Sequence, residues 1–282
     1  MKYLIPPRQL LRLLRHILMV AMLIIAVWVI IVTIRYHRHR ANDTEKKIEA
    51  IVVGVVGKIT AEGDTLTNPF AIDAIRHFSI DNKAAVNIAV YPSWYECLHA
   101  FNEMKCNIIA TPVPTTMEMK HHHKLSIPVY ESAPQLIQRV DNKIPSSVLD
   151  LDSATIWIEE HSPYKAQMKH LVDEAGIEIV LNEANKGVGI DSLAILTLNK
   201  EIDYFITDER TAFILTKRHP ELFASLPLGV QQPMSWIVED YRATLSDLVD
   251  YWMERFKETN DYSQLMTNYF TNSQSNKKKK RK

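Results

Sequence analysis

Apolar residues recur along this chain with two periods and, in one stretch, with none. The stretch without a period is Ile17 to Ile34 (ILMVAMLIIAVWVIIVTI), which carries no charge and a single hydroxyl, Thr33. As a helix it spans roughly 27 Å, about one hydrocarbon core. Backbone polar groups in lipid must be bonded within the segment, so one transmembrane helix over 17–34 is predicted. Basic clusters on both sides argue against a buried core helix. A cleaved signal peptide is disfavoured too, because no small-x-small site follows the β-branched end. Residues 1–16 form a basic flank, 35–47 a linker, and 48–270 a folded body.

Within the body the period switches between strand-like and helix-like. Ile48–Val56 (IEAIVVGVV) is rich in β-branched residues and predicts a buried strand. A helix follows over Phe70–Ser79, burying Phe70, Ala74, Ile75 and Phe78, and then a strand over Val86–Tyr91. Ser93 reads as the cap of a helix with Trp94, Cys97, Leu98, Phe101 and Met104 on one face. Asn107–Ala110 predicts a third strand. The rhythm repeats with a strand at Thr155–Ile158 and a helix opened by Ser162 and Pro163 and stopped by Gly176. A strand at Ile177–Leu181, a helix from Asp191, a strand at Asp203–Thr207 and a helix from Asp208 to about His219 come next. The last elements are a strand near Trp236–Val238, a helix from Thr244 and a short helix ending near Phe270. This alternation predicts α/β architecture with mainly parallel sheets. Excursions near Pro128–Ile144 and Ala224–Pro233 would suit two crossings between lobes.

Charge changes the picture by exclusion. The formal net charge is zero, but residues 1–40 hold seven basic residues and no acid, and the tail Lys277–Lys282 holds six more. The remaining 20 basic residues face 33 acids, so the body carries about −13. Nucleic-acid binding is excluded, since it needs a basic face. The basic tail over 271–282 is read as solvated, with anionic headgroups or the acidic body as alternative contacts. Two cysteines, Cys97 and Cys106, are too few for a disulfide framework or a zinc site. A single disulfide and two partly buried thiols both stay open. His121, His122 and His123 are consecutive, so they cannot converge on one ion from a regular element, and no metal or cofactor is expected.

Four segments resemble the bacterial extracellular solute-binding proteins of family 3. They are Asn107–Tyr130 (NIIATPVPTTMEMKHHHKLSIPVY), Gln135–Val140, Lys200–Phe213 (KEIDYFITDERTAF) and His219–Val238 (HPELFASLPLGVQQPMSWIV). The last resembles most the binding module of membrane-bound lytic murein transglycosylase F. The resemblance implies a two-lobed, periplasmic-binding-protein-like (type II) fold, with lobe 1 at about 48–130 and 232–270 and lobe 2 at about 141–228. Gln135–Val140 would be a crossover strand. A small ligand, amino-acid-like, peptide or muropeptide, would bind in the inter-lobe cleft.

The resemblance also nominates site residues. Asp208 matches the acid that often meets a ligand amine, and it reads equally as a helix cap. Thr111, Thr115 and Thr116 fall on the loop that offers hydroxyl and backbone groups, with turn chemistry as the plain alternative. Ser162 caps a second-lobe helix, and Trp94 is set either to stack on a ligand or to pack in the core. The arginine that forks onto a ligand carboxylate should lie nine residues before Pro128, where this chain has Met119. A thioether cannot make that charge-assisted fork, so the carboxylate clamp is expected to be absent.

No nucleophile elbow, P-loop or HExxH stands in the body. The lysozyme-like domain that gives the transglycosylase its catalysis has no room in Thr271–Lys282, so no enzymatic activity is expected. The expected role is a membrane-anchored, non-catalytic solute-binding or sensing protein of the cell envelope. A degenerate or regulatory relative of the transglycosylase is one alternative; an assembly factor with a vestigial cleft and an envelope protein partner is the other. Flanking charges leave the anchor's orientation tied, and the resemblance places residues 1–16 in the cytoplasm and the body in the periplasm.

Overall fold

The structure, a computed structural model, describes residues 50–58 and 68–270. The predicted transmembrane helix over 17–34, the flanks over 1–16 and 35–47, and the tail over 271–282 lie outside the described residues. Among the described residues no helix is long and apolar enough to cross a membrane.

The first half of the body runs β1 (Ile51–Val56), α1 (Pro69–Asn82), β2 (Val86–Tyr91), α2 (Trp94–Asn102), β3 (Ile108–Pro114), α3 (Met117–His122), β4 (Lys124–Leu125) and β5 (Tyr130–Ser132). It continues through β6 (Pro134–Arg139), β7 (Thr155–Ile158), α4 (Lys165–Ala175), β8 (Val180–Glu183), α5 (Ile190–Leu198) and β9 (Tyr204–Asp208). The last elements are α6 (Glu209–Arg218), β10 (Leu222–Pro227), β11 (Gln232–Val238), α7 (Ala243–Phe256) and α8 (Asn260–Phe270).

These strands form two sheets, one per lobe. The first has the order β2-β1-β3-β11-β4, with β5 also on β11. There β1 is parallel to β2 and β3, whereas β11 runs antiparallel to β3, β4 and β5. The second has the order β10-β6-β9-β7-β8, with β7 parallel to β8 and β9, and β6 antiparallel to β9 and β10. Both sheets are therefore mixed, where the alternation predicts mainly parallel ones. The physical reason lies in β6 and β11, which enter straight from the opposite sheet. Only Ala133 separates β5 from β6, and only residues 228–231 separate β10 from β11. A parallel neighbour needs a long crossover, and these short connections supply none. The crossover strand expected at Gln135–Val140 forms as β6, Pro134–Arg139, and sits inside the second sheet.

Aromatic residues carry much of the first lobe's core. Trp236 on β11 stacks on Trp252 of α7, and Trp252 stacks in turn on Phe256, with ring centroids 6.0 and 4.5 Å apart. Phe78 of α1 meets Trp252 edge-on at 5.2 Å. A smaller cluster in the second lobe gathers Ile137, Leu193, Phe205, Leu215 and Leu222 between the sheet, α5 and α6.

Two elements differ from the periodicity reading. Met104, counted with the apolar face of α2, is 72% exposed at φ 57°. It follows the helix, whose end is closed by Lys105 N–H donating to Ala100 O and Met104 N–H to Phe101 O. The strand expected at Ile177–Leu181 begins instead at Val180. The Glu178 N–H donates to Asp152 Oδ1 and its carbonyl accepts from Ser153 N–H, so pairing with β7 starts only at Val180 opposite Thr155.

Candidate functional site

The C-terminal ends of β1, β3, β7 and β9 point towards the gap between the sheets, the usual position of ligands in open α/β folds. From the first lobe come Val56, Asn68, Trp94 and Thr111–Val113; from the second come Glu159, Ser162–Tyr164, Ile190 and Ile206–Asp208 with Thr211. Together they enclose a cavity of about 50 Å³. At about 10–15 Å³ of such space per water, it holds a few water molecules. Among the described residues its charged lining groups are Glu159 and Asp208, both acidic side chains, with no lysine or arginine.

Four of the six residues nominated from the sequence meet here: Trp94, Thr111, Ser162 and Asp208. Each also has structural work. The Thr111 hydroxyl accepts from Val56 N–H at 2.7 Å, tying β3 to β1. Asp208 caps α6, its Oδ1 accepting from Arg210 N–H at 2.9 Å and Thr211 N–H at 3.1 Å. Ser132 Oγ donates to the same oxygen at 3.2 Å, so this carboxylate also ties the crossing segment to the second lobe. Trp94 is buried and packs with Cys97, Ile109 and Met119. Its indole Nε1 donates to the His161 carbonyl at 2.8 Å, across the gap. Ser162 is corrected in role: α4 starts at Lys165, and Ser162 Oγ accepts from Tyr164 N–H at 3.3 Å, closing a turn before the helix.

Thr115 and Thr116 are not part of this cavity. The Thr115 hydroxyl is bonded to Ser235 Oγ at 2.9 Å, and its N–H donates to Pro233 O. Thr116 caps α3, accepting from Met119 N–H at 3.2 Å. Met119 itself lines a second, outer crevice of about 510 Å³. Trp94, Ser162 and Pro163 form the partition between the two spaces. His122, His123 and His161 line the crevice with Lys165 and Lys169, and burial and the neighbouring His122 hold the His123 pKa below the ordinary value. Among the described residues no three His, Cys, Asp or Glu side chains are placed to share a metal ion.

Glu159 was missed from sequence. It follows β7 directly, is buried, and accepts the Trp94 backbone N–H at 2.9 Å. Burial pushes its pKa up to about 7, with the Asp191 charge adding to the rise; the N–H groups of Trp94 and Ile190 pull it down. An acid set immediately after a buried strand, in Ile158–Glu159, was the available signal. Cys97 and Cys106 are buried free thiols, and their sulfurs stand 3.0 and 3.1 Å from where a Cβ on Gly54 would lie. Burial raises both thiol pKa values, that of Cys106 to about 11. They are packing groups in this state, not thiolates.

The chain's topology and site position now bear comparison with known proteins. A putative L-cystine ABC transporter protein from Listeria monocytogenes superposes with a TM-score of 0.68 at 13% identity, covering 79% of this chain and 97% of that one. An ancestral arginine-binding protein bound to arginine gives 0.65 at 16% identity, over 78% and 98%. The fold is that of the family 3 solute-binding proteins. In sequence the chain is weakly similar to membrane-bound lytic murein transglycosylase F. The Shewanella loihica protein is 23% identical over 205 residues, which is 71% of this chain and 42% of the relative. The Desulfosudis oleivorans protein is 18% identical over 181 residues, 64% of this chain and 39% of the relative. This chain thus spans about two fifths of the length of the curated relatives it matches. No protein-family model matches it.

Proposed function

We propose that this protein is a membrane-anchored, non-catalytic solute-binding or sensing protein of the cell envelope, whose two lobes close on a small ligand. The observation that carries the reading is the inter-lobe cavity, framed by four strand ends, in a fold shared with amino-acid-binding proteins. The anchor over 17–34 would hold the cleft at the outer face of the cytoplasmic membrane, suiting local sensing better than bulk uptake. The ligand differs from an ordinary amino acid in how it is held, because Met119 replaces the expected arginine and the cavity's charged lining is acidic.

A thermal-shift screen of the full-length protein in detergent, with amino acids, small peptides and muropeptides, tests this. A ligand at a hundred times its dissociation constant adds about 2.7 kcal/mol of stability, readily seen as a raised melting temperature. No shift with any compound would favour a vestigial cleft whose surface binds another envelope protein. The similarity to transglycosylase F supports a second reading, a cell-wall protein with a muropeptide ligand. Release of anhydro-muropeptides from peptidoglycan would overturn the non-catalytic part of the proposal. A reporter fused after Phe270 and found cytoplasmic would overturn the topology.

A further inference from the structure

A close inter-lobe contact brings together two helix N-termini. Trp94 is the first residue of α2 in lobe 1, and Ile190 is the first residue of α5 in lobe 2. Each helix start carries N–H groups with no partner inside its helix and a partial positive charge, a setting that ordinarily draws an anion from solution. Here the partner comes from the chain itself, as a buried glutamate whose neutral form burial favours. The Glu159 side chain accepts the Trp94 N–H at 2.9 Å, and Ile190 at the start of α5 lines the same cavity. Around it the lobes touch closely. A Cβ on Gly189 would sit 1.9 Å from Pro92 O, and Lys186 Nζ lies 4.9 Å from the Tyr95 ring centre. The His161 ring packs against Tyr95, and the His161 carbonyl takes the Trp94 indole bond.

We propose that Glu159 is an internal ligand: reaching from lobe 2, its buried side chain accepts the N–H at the N-terminus of α2 in lobe 1, holds the cleft closed, and must be displaced by any ligand that brings its own carboxylate. The inference goes beyond the binding reading and stands whether or not the cleft takes a solute. It accounts for the small size of the cavity, about 50 Å³. It also makes Glu159 a specificity determinant, since a tethered carboxylate competes at high effective concentration with free ones.

Closure is then linked to protons. Facing Glu159 are Asp191 on α5, itself paired with Arg218, Cys97 on α2, and Tyr164 before α4. Asp208 lines the same cavity from the end of β9. In the closed state Glu159 titrates near 7, above the ordinary glutamate value of 4.5 that an opened, solvated side chain would approach. The closed state therefore binds more protons between those values, and closing is favoured as pH falls through that window. The closing equilibrium should change on the order of 10²-fold between pH 8 and pH 5.

Hydrogen exchange on the full-length protein in detergent tests the proposal. Glu159→Ala should speed exchange of the Trp94 amide about tenfold or more, with α7 unchanged. Acetate, which matches the atoms removed, should restore protection in Glu159→Ala and leave the wild type unaltered. Unchanged exchange in Glu159→Ala, or no rescue by acetate in a variant that has opened, overturns the proposal. If α7 also loses protection, the variant has unfolded and Glu159→Gln decides. Glu159→Gln keeps the acceptor and should flatten the pH dependence of protection; a wild-type pH profile in this variant overturns the proposal.

Discussion

The two spaces on either side of Trp94 differ in size and in chemistry. The inner cavity, about 50 Å³, is lined by Glu159 and Asp208 and lies where strand ends and helix starts converge. The outer crevice, about 510 Å³, has Leu98 and Met119 among its apolar walls and His122, His123, His161 and Lys169 around it. The inner space is small because backbone meets backbone around it, at Gly189 against Pro92. The outer space persists because flexible side chains from α3 and α4, rather than main chain, face each other across it. The position expected to hold the ligand-binding arginine, Met119, faces the larger space. Trp94, Ser162 and Pro163 thus separate the polar strand-end groups from the helix α3 wall.

The largest test of this partition is Gly189→Ala. Its Cβ cannot fit 1.9 Å from Pro92 O, so the lobes must part or the backbone must shift, at a cost of about 1–3 kcal/mol. We expect a lower melting temperature and faster amide exchange at Trp94, and acetate should not reverse either, because Glu159 is still present. Trp94→Phe removes the indole bond to His161 and part of the partition, which should cost about 1–2 kcal/mol in urea unfolding. The two spaces should then merge, and a polarity-sensitive dye too large for the inner cavity should gain affinity. Asp208→Asn is the mildest change. Asparagine caps helices about as well as aspartate, so stability should fall by no more than about 0.5 kcal/mol. Any cationic ligand found by thermal shift should nevertheless lose most of its effect. An unaltered ligand shift would leave Asp208 with its capping role alone.

The strands and helices of the body were legible because their signals are local. Ser93 and Asp208 were read as caps from their positions before apolar-periodic runs, and both caps form. Gly176 ends α4 in the left-handed conformation, as a glycine after an amphipathic run predicts. The parallel character of the sheets was overread, because the pattern shows which segments are strands but not the direction in which each returns. Within the site, Trp94, Thr111, Ser162 and Asp208 were accessible because each stands at a strand end or helix start. Thr115 and Thr116 share that look but are turned away by the pairing of β3 with β11, which spends Thr115 on Ser235 and Pro233.

The alternating elements and the resemblance to a two-lobed binding fold were readable from the sequence alone. Those features depend on hydrophobic period, caps and turns, and each is decided within about twenty residues. Which groups share the cleft depended on the tertiary structure. Glu159 and Trp94 are 65 residues apart, and each has an adequate local explanation on its own. Only the packing of two lobes brings that carboxylate to the N-terminus of α2. Burial there then shifts its proton equilibrium, a property no local pattern encodes, because it arises from the water that the packing of the two lobes excludes.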